Sequence, residues 1–265
     1  PLSDLYIRMQ QEGKVQNMYR DLNISNATTT VKFEMDGVNY TRTSFISYPD
    51  QVMVIRLESD KKSALSFDIW QESLLQYGTE SNGKDLLILK GKAPSYVASR
   101  PEFPDQIVYD TDGEGMEFEV HSRLVLEGGS SKGNDSIISV RNANSVTIIL
   151  SAATSFNGVD KSPGHEGKDT SQEAEKYLNS ALDRSYSQLL ETHTRDYQEL
   201  FNRVRFSLGE KGSQQDTLTT DQRLRWCQIQ IIRYSRRGRK GDEPFTFCLH
   251  QEECQTEIGS CKRRY

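Results

Sequence analysis

Two segments of this 265-residue chain carry side chains whose type and spacing suit chemistry. Asp110, Asp112, Glu114 and Gly115 follow the opening of a calcium loop, D-x-D-x-E-G, in which alternating oxygen ligands converge on a hard cation. Position twelve of that loop is His121 rather than Glu, and its flanks alternate as strands do, so the sequence favours a turn. The same acids make a poor acid–base pair, because neighbours on one turn rarely face each other across a substrate. The second segment runs from Ser155 to Asp169 and is the most distinctive in the chain. Gly158, Pro163-Gly164 and Gly167 allow backbone shapes suited to a loop that approaches a ligand or another domain. Its candidate contact residues are Ser155, Phe156, Asn157, Lys161, His165 and Lys168; the competing reading is a plain connector. Gly167-Lys168 does not belong to a phosphate loop, since Ser162 and Asp169 stand where that motif needs Gly and Ser or Thr.

Trp70 is out of phase with Leu65, Phe67 and Ile69, so it is expected to face away from their apolar side. There it either packs on a second layer or domain, or stacks on a sugar ring. His121 within a strand and His193 on a helical stripe lack Ser or Cys partners at a recognisable spacing and are expected to be structural. Cys248, His250, Cys254 and Cys261 are zinc-ligand types without the paired knuckle spacing of a structural site. No catalytic residue, metal site or cofactor is therefore expected. Arg236–Lys240 is a single basic cluster, too little to argue for nucleic acid. Asn23, Asn26, Asn39 and Asn134 open glycosylation sequons, which matter only in a eukaryotic secretory host.

The elements that must hold these residues change character along the chain. Val31, Phe33 and Met35 alternate with polar neighbours, Asp36-Gly37 intervenes, and Val38 and Tyr40 resume the alternation, a strong hairpin signal. Further strands are expected at 52–57, 65–70, 86–89, 116–126, 137–140 and 146–150, separated by turn residues such as Asn82-Gly83 and Gly128-Gly129. Many short antiparallel strands predict a mainly β fold, an antiparallel β-sandwich. Near residue 170 the period becomes helical. Thr170 with Glu173 and Ser185 with Gln188 read as capping boxes for two amphipathic helices. Their apolar stripes need something to lie on, either the sheet or a following domain.

Charge divides the chain as well. Residues 223–265 hold ten Lys/Arg against five acids, a net +5, which leaves −10 on residues 1–222 of a chain whose total is −5. All four cysteines lie in that tail. The expected organisation is a sandwich over 1–155, a loop and helical linker over 156–209, and an aberrant, disordered tail over 210–265. The acidic main part excludes nucleic acid as a partner, and no apolar run approaches the ~20 residues that span a bilayer. The start, Pro1-Leu2-Ser3-Asp4, has neither the basic stretch nor the apolar core of a secretory leader.

Several stretches resemble the N-terminal region of family 95 glycoside hydrolases, the α-L-fucosidase family that also holds α-L-galactosidases. They are PLSDLYI (1–7), YRDLNISNATTTVKF (19–33), YPDQVMVIRL (48–57), KGKAP (90–94) and VYDTDGEGMEFE (108–119). SAATSFNGVDKSPGHEGKD (151–169), HTRDYQELFNRV (193–204) and LTTDQRL (218–224) complete the match. The resemblance implies a β-sandwich, a helical linker and then an (α/α)6 barrel that performs an inverting hydrolysis. The barrel residues are absent from this sequence, and from Arg225 the chain departs from the family as a shifted reading frame would. The start is short by the same measure, so the expectation is a fragment trimmed at both ends and inactive alone. Its expected partners are the missing barrel and a fucosylated or other glycan, and its expected compartment is secreted or periplasmic. A free-standing carbohydrate-binding sandwich is the alternative. Bare strand edges and a bare docking face would favour self-association.

Overall fold

The structure is a computed structural model that describes residues 2–11, 13–100, 106–109, 114–204, 219 and 222. Fourteen strands and two helices are described: β1 (Asp4–Met9), β2 (Gln16–Asn23), β3 (Thr28–Met35), β4 (Val38–Ser47), β5 (Val52–Ser59), β6 (Leu65–Glu72) and β7 (Gln76–Ser81). They continue with β8 (Leu86–Lys92), β9 (Tyr96–Val97), β10 (Ile107–Val108), β11 (Glu117–Glu127), β12 (Ser130–Gly133), β13 (Ile137–Ala143) and β14 (Ser145–Thr154). The helices α1 (Thr170–Leu182) and α2 (Tyr186–Phe201) follow.

Two antiparallel sheets face each other. The smaller has the order β1-β6-β13-β12 and the larger β2-β3-β4-β5-β14-β11-β8-β7; β9 and β10 form a separate ribbon. Alternation decides which side chains meet between the sheets. Leu65, Phe67 and Ile69 of β6 and Ile138, Val140 and Ala143 of β13 pack against Tyr40, Ile55, Leu57, Leu87, Leu124, Val146 and Ile148 of the larger sheet. The expected antiparallel sandwich is thus present. The Asp36-Gly37 hairpin is present too: both residues have positive φ, 53° and 70°, and Met35 pairs with Val38 across a two-residue turn.

The chain changes sheets at its turns. Gly128 and Gly129, both in the left-handed region at φ 73° and 70°, carry it from β11 of the larger sheet to β12 of the smaller. A Cβ on Gly129 would lie 2.4 Å from the Arg141 carbonyl oxygen and 2.6 Å from the Ala143 nitrogen, so only glycine fits.

The larger sheet is apolar on its outer side as well, and there the helices lie. α1 rests on β14 and β11, and α2 on β4. Phe45, Val52, Val54 and Ile149 form a second core with Leu178 and Ala181 of α1 and Leu189 of α2. The helical stripes therefore find the sheet, and Pro1–Val204 make up one compact unit. The expected tail over 210–265, with its cysteines and its basic cluster, lies outside the described residues apart from positions 219 and 222.

One cap differs from the sequence reading. The N-cap of α1 is Asp169, whose carboxylate accepts from the Gln172 amide at 3.0 Å. Thr170 sits one residue inside the helix because its hydroxyl turns inward to the buried Glu119. The second box is as expected, with Ser185 and Gln188 satisfying each other's backbone amides.

Two stability outcomes are expected. Leu189→Ala, at a fully buried site between α2 and the sheet, costs about 2–5 kcal/mol in urea unfolding. Gly129→Ala costs about 1–3 kcal/mol, through φ strain and the carbonyl contact. A wild-type midpoint for either variant would contradict this packing.

Candidate functional site

The segment after β14 is a loop closed at its neck by Ser155. The Ser155 amide donates to the Glu117 carbonyl (2.9 Å), its hydroxyl accepts from the Glu117 amide (3.0 Å), and its carbonyl accepts from the Lys168 amide (3.0 Å). Ser155 is buried, so its polar atoms serve the neck. Inside the loop the Asn157 amide side chain donates to the Glu166 carbonyl at 2.8 Å, and the Ser162 hydroxyl accepts from the His165 amide at 3.2 Å. Gly167 fits under the neck where a Cβ would lie 2.4 Å from the Pro163 carbonyl oxygen. The side chains of Phe156, Lys161, His165 and Lys168 are left exposed. What the loop offers is a presented surface of one aromatic ring, two lysines and an imidazole.

Beside the neck, His121 and Glu119 project from β11 toward α1. His121 Nε2 lies 2.8 Å from Glu119 Oε2, and the Thr170 hydroxyl donates to Glu119 Oε1 at 3.1 Å. Both side chains are more than nine-tenths buried, so the pair holds the start of α1 to the sheet. His193 is structural in the same sense. It is buried, its Nε2 lies 3.0 Å from the Asn26 carbonyl oxygen, and its ring stacks on Phe45 at 4.9 Å. Asp110 and Asp112 lie outside the described residues.

Trp70 lies elsewhere, on the outer face of the four-stranded sheet, and the structure does not bring it together with the loop. As the phase argument requires, it points away from Phe67 and Ile69 and is half-buried. Its cross-strand partner Tyr6 stacks on it at 5.1 Å with only 7° between the planes. The Arg8 guanidinium sits 4.7 Å over the indole, and the indole N–H donates to Glu72 Oε1 at 2.8 Å. The Glu72 carboxylate is the main cause that raises the Tyr6 phenol above its ordinary value of 10.0, with burial and Asp4 adding to it. Trp70 also lines a cleft of about 380 Å³ with Arg8, Asp68, Glu72, Tyr77, Thr79 and Ser136. Sequence reasoning missed Tyr6, Arg8 and Glu72. For Tyr6 and Arg8 the signal is in D-L-Y-I-R-M, where Leu5, Ile7 and Met9 turn inward and Asp4, Tyr6 and Arg8 outward.

A third feature is apolar. At the end of α2 Tyr197 stacks on Phe201 at 5.3 Å and Leu200 is 61% exposed, and Val204 just past the helix is 76% exposed. The same helix end fastens the turn after β2, since Tyr197 Oη and Gln198 Nε2 donate to the carbonyls of Ile24 and Ser25. Leu22 and Ile24 are exposed beside that turn.

Residues 1–159, the strands of the sandwich and the neck of the loop, match the family described as "Glycosyl hydrolase family 65, N-terminal domain". The chain belongs to that family. It is 29% identical over 216 residues to "Alpha-L-fucosidase 2" of Arabidopsis thaliana, covering 78% of this chain and 26% of that protein. It is 26% identical over 233 residues to "Probable alpha-fucosidase A" of Aspergillus oryzae, covering 83% and 30%. Among solved structures, a bacterial glucoamylase complexed with acarbose superposes with a TM-score of 0.42 at 9% identity, over 77% of this chain and 32% of that one. The chain thus spans between a quarter and a third of the length of the two curated relatives. It is an N-terminal domain of a fucosidase-like glycoside hydrolase, as the sequence resemblance implies, and the domain family itself carries the family 65 description.

Asp68, at the foot of the Trp70 cleft, yields a pH prediction for this N-terminal domain. Burial alone would raise its carboxyl, but hydrogen bonds from Ser139, Gln10 and Arg141 outweigh it and hold it below the ordinary 3.8. The folded form then binds fewer protons than the unfolded one. The stabilisation is complete above that ordinary value and is lost as pH falls through the depressed one. Asp68→Asn is expected to flatten the fall of the urea midpoint between about pH 4 and pH 2 relative to wild type. Parallel curves for the two proteins would remove Asp68 from the acid response.

Proposed function

We propose that this chain is the non-catalytic N-terminal domain of an α-L-fucosidase-like enzyme, one that braces a catalytic (α/α)6 barrel and shapes the rim of its sugar cleft. The match of the whole sandwich to a glycosyl hydrolase N-terminal family carries this reading, and the two alignments with proteins named as fucosidases support it. The reaction expected of the intact enzyme is hydrolysis of an α-L-fucosyl or α-L-galactosyl linkage, in a secreted or periplasmic compartment. The exposed end of α2 at Leu200, with Val204 just past the helix, suits the start of a barrel interface, because exposed apolar side chains gain by burial. The Ser155–Asp169 loop, braced at its neck, would present Phe156, Lys161, His165 and Lys168 to the junction and its sugar site. Trp70 lies on another layer and is left out of that junction.

Two measurements test the proposal. Incubated with 4-nitrophenyl α-L-fucoside, the chain is expected to release no nitrophenol above a heat-killed control; steady turnover would overturn the non-catalytic role. In light scattering the chain is expected to self-associate, and Leu200→Glu combined with Val204→Glu to shift it toward monomer. A wild-type protein that stays monomeric at high concentration would count against an apolar docking face.

A further inference from the structure

We propose that the outer face of the four-stranded sheet is a binding cleft for a neutral glycan, with a pyranose ring lying against Trp70. This goes beyond the bracing role, since it gives the domain a ligand of its own. An aromatic pair on a solvent-facing sheet needs no ligand to exist, because cross-strand stacking stabilises the sheet. What singles this face out is the unused hydrogen-bonding capacity around the rings. The Arg8 guanidinium lies over the indole, and among the described residues no hydrogen bond or ion pair of its N–H groups is seen. Glu72 spends one oxygen on the Trp70 N–H and keeps the other for a ligand hydroxyl. The Thr79 and Ser136 hydroxyls meet only loosely, at 3.4 Å, and Tyr77 is 43% exposed beside them.

The shape is concave. β6 and β13 of the smaller sheet supply Trp70, Glu72 and Ile137, while β7 at the edge of the larger sheet supplies Tyr77 and Thr79. The cleft of about 380 Å³ lies within the roughly 300–1,000 Å³ of small-molecule sites. Aromatic faces take the C–H side of a pyranose, and mixed donors and acceptors around them take its hydroxyls. Charge selects a neutral ligand. Glu72 and Asp68 would repel an anion, and among the described residues that line the cleft the cation is Arg8, which lies over the indole. The larger cavity near Ile46 and Tyr48 is lined mainly by apolar groups and does not suit a polyol.

Calorimetric titration of the full 265-residue chain with maltotetraose, cellotetraose and an α-fucosylated trisaccharide tests this. Saturable binding to at least one is expected, weakened about tenfold or more in Trp70→Ala, as loss of an aromatic anchor does. Glu72→Gln keeps an acceptor for the indole N–H but loses the charge, and is expected to weaken binding a few-fold without moving the thermal midpoint. If Trp70→Ala fails to fold, Glu72→Gln alone decides. Absence of saturable heat with all three sugars, or wild-type affinity in Glu72→Gln, would overturn the proposal and would mark the face as a protein-docking or plain solvated surface. Neither outcome bears on the turnover assay, so the bracing role stands or falls separately.

Discussion

Burial of β5 and β14 on both of their faces is the constraint from which the rest of the architecture follows. Ile55 and Leu57 look inward to the small sheet, while Val52 and Val54 of the same strand look outward. On β14, Val146 and Ile148 look inward and Ile149 outward. A sandwich of two sheets covers only the inner set, and leaving the outer set wet would forfeit about 1.5–3 kcal/mol for each large side chain. A third layer is therefore required, and the first helices after the strands supply it. Polar groups at the seam are matched to this arrangement. Arg56 reaches from β5 to Glu58, Glu127, Thr147 and Ser145, and its guanidinium lies 4.9 Å from the Tyr186 ring of α2. Arg184, between the helices, pairs with the buried Asp50, whose other oxygen accepts from Ser47. The helices are thus part of the sandwich in energetic terms, although in sequence they read as a linker.

Much of this was legible because its causes are local. The Asp36-Gly37 turn is set by two positive φ angles, and the inward residues of β6 by a period of two. Edge strands were harder. β2 is exposed along its whole length, so no alternation marks it, and β12 has four residues without an apolar stripe. The sequence alone leaves the helical stripes a choice between the sheet and a following domain, and the second core answers it with the sheet. Leu178, Ala181 and Leu189 reach the sheet, whereas Leu200 near the end of α2 is exposed. The cap of α1 moved by one residue for a reason local rules cannot contain, since Thr170 answers a glutamate fifty-one positions away.

The candidate site was legible in part for the same reason. Periodicity places Trp70 on the outer face, but its ring partners Tyr6 and Arg8 come from β1, and strand pairing is not written in the phase of one strand. Ser155 shows the opposite limit. Its position in a distinctive loop drew attention as a contact residue, yet its amide, hydroxyl and carbonyl all close the neck. A distinctive segment marks where the backbone is demanding; which of its side chains remain available is decided by the hydrogen bonds.

The β2 edge shows how the fold manages what it leaves open. An eight-residue edge strand invites pairing with another chain, and natural sheets blunt such edges with charge and irregularity. β2 carries Arg20 and Asp21 near its centre, and its register with β3 shifts between Gln16 and Tyr19, where Asn17 takes a φ of 51°. Its far end is held from outside the sheet, because α2 binds the carbonyls of residues 24, 25 and 26 through Tyr197, Gln198 and His193. The helix that covers the second core therefore also fixes the turn that positions the edge. Weakening the packing of α2 would loosen both at once. The exposed apolar end of α2 then lies beside a strand edge that the same helix holds in place.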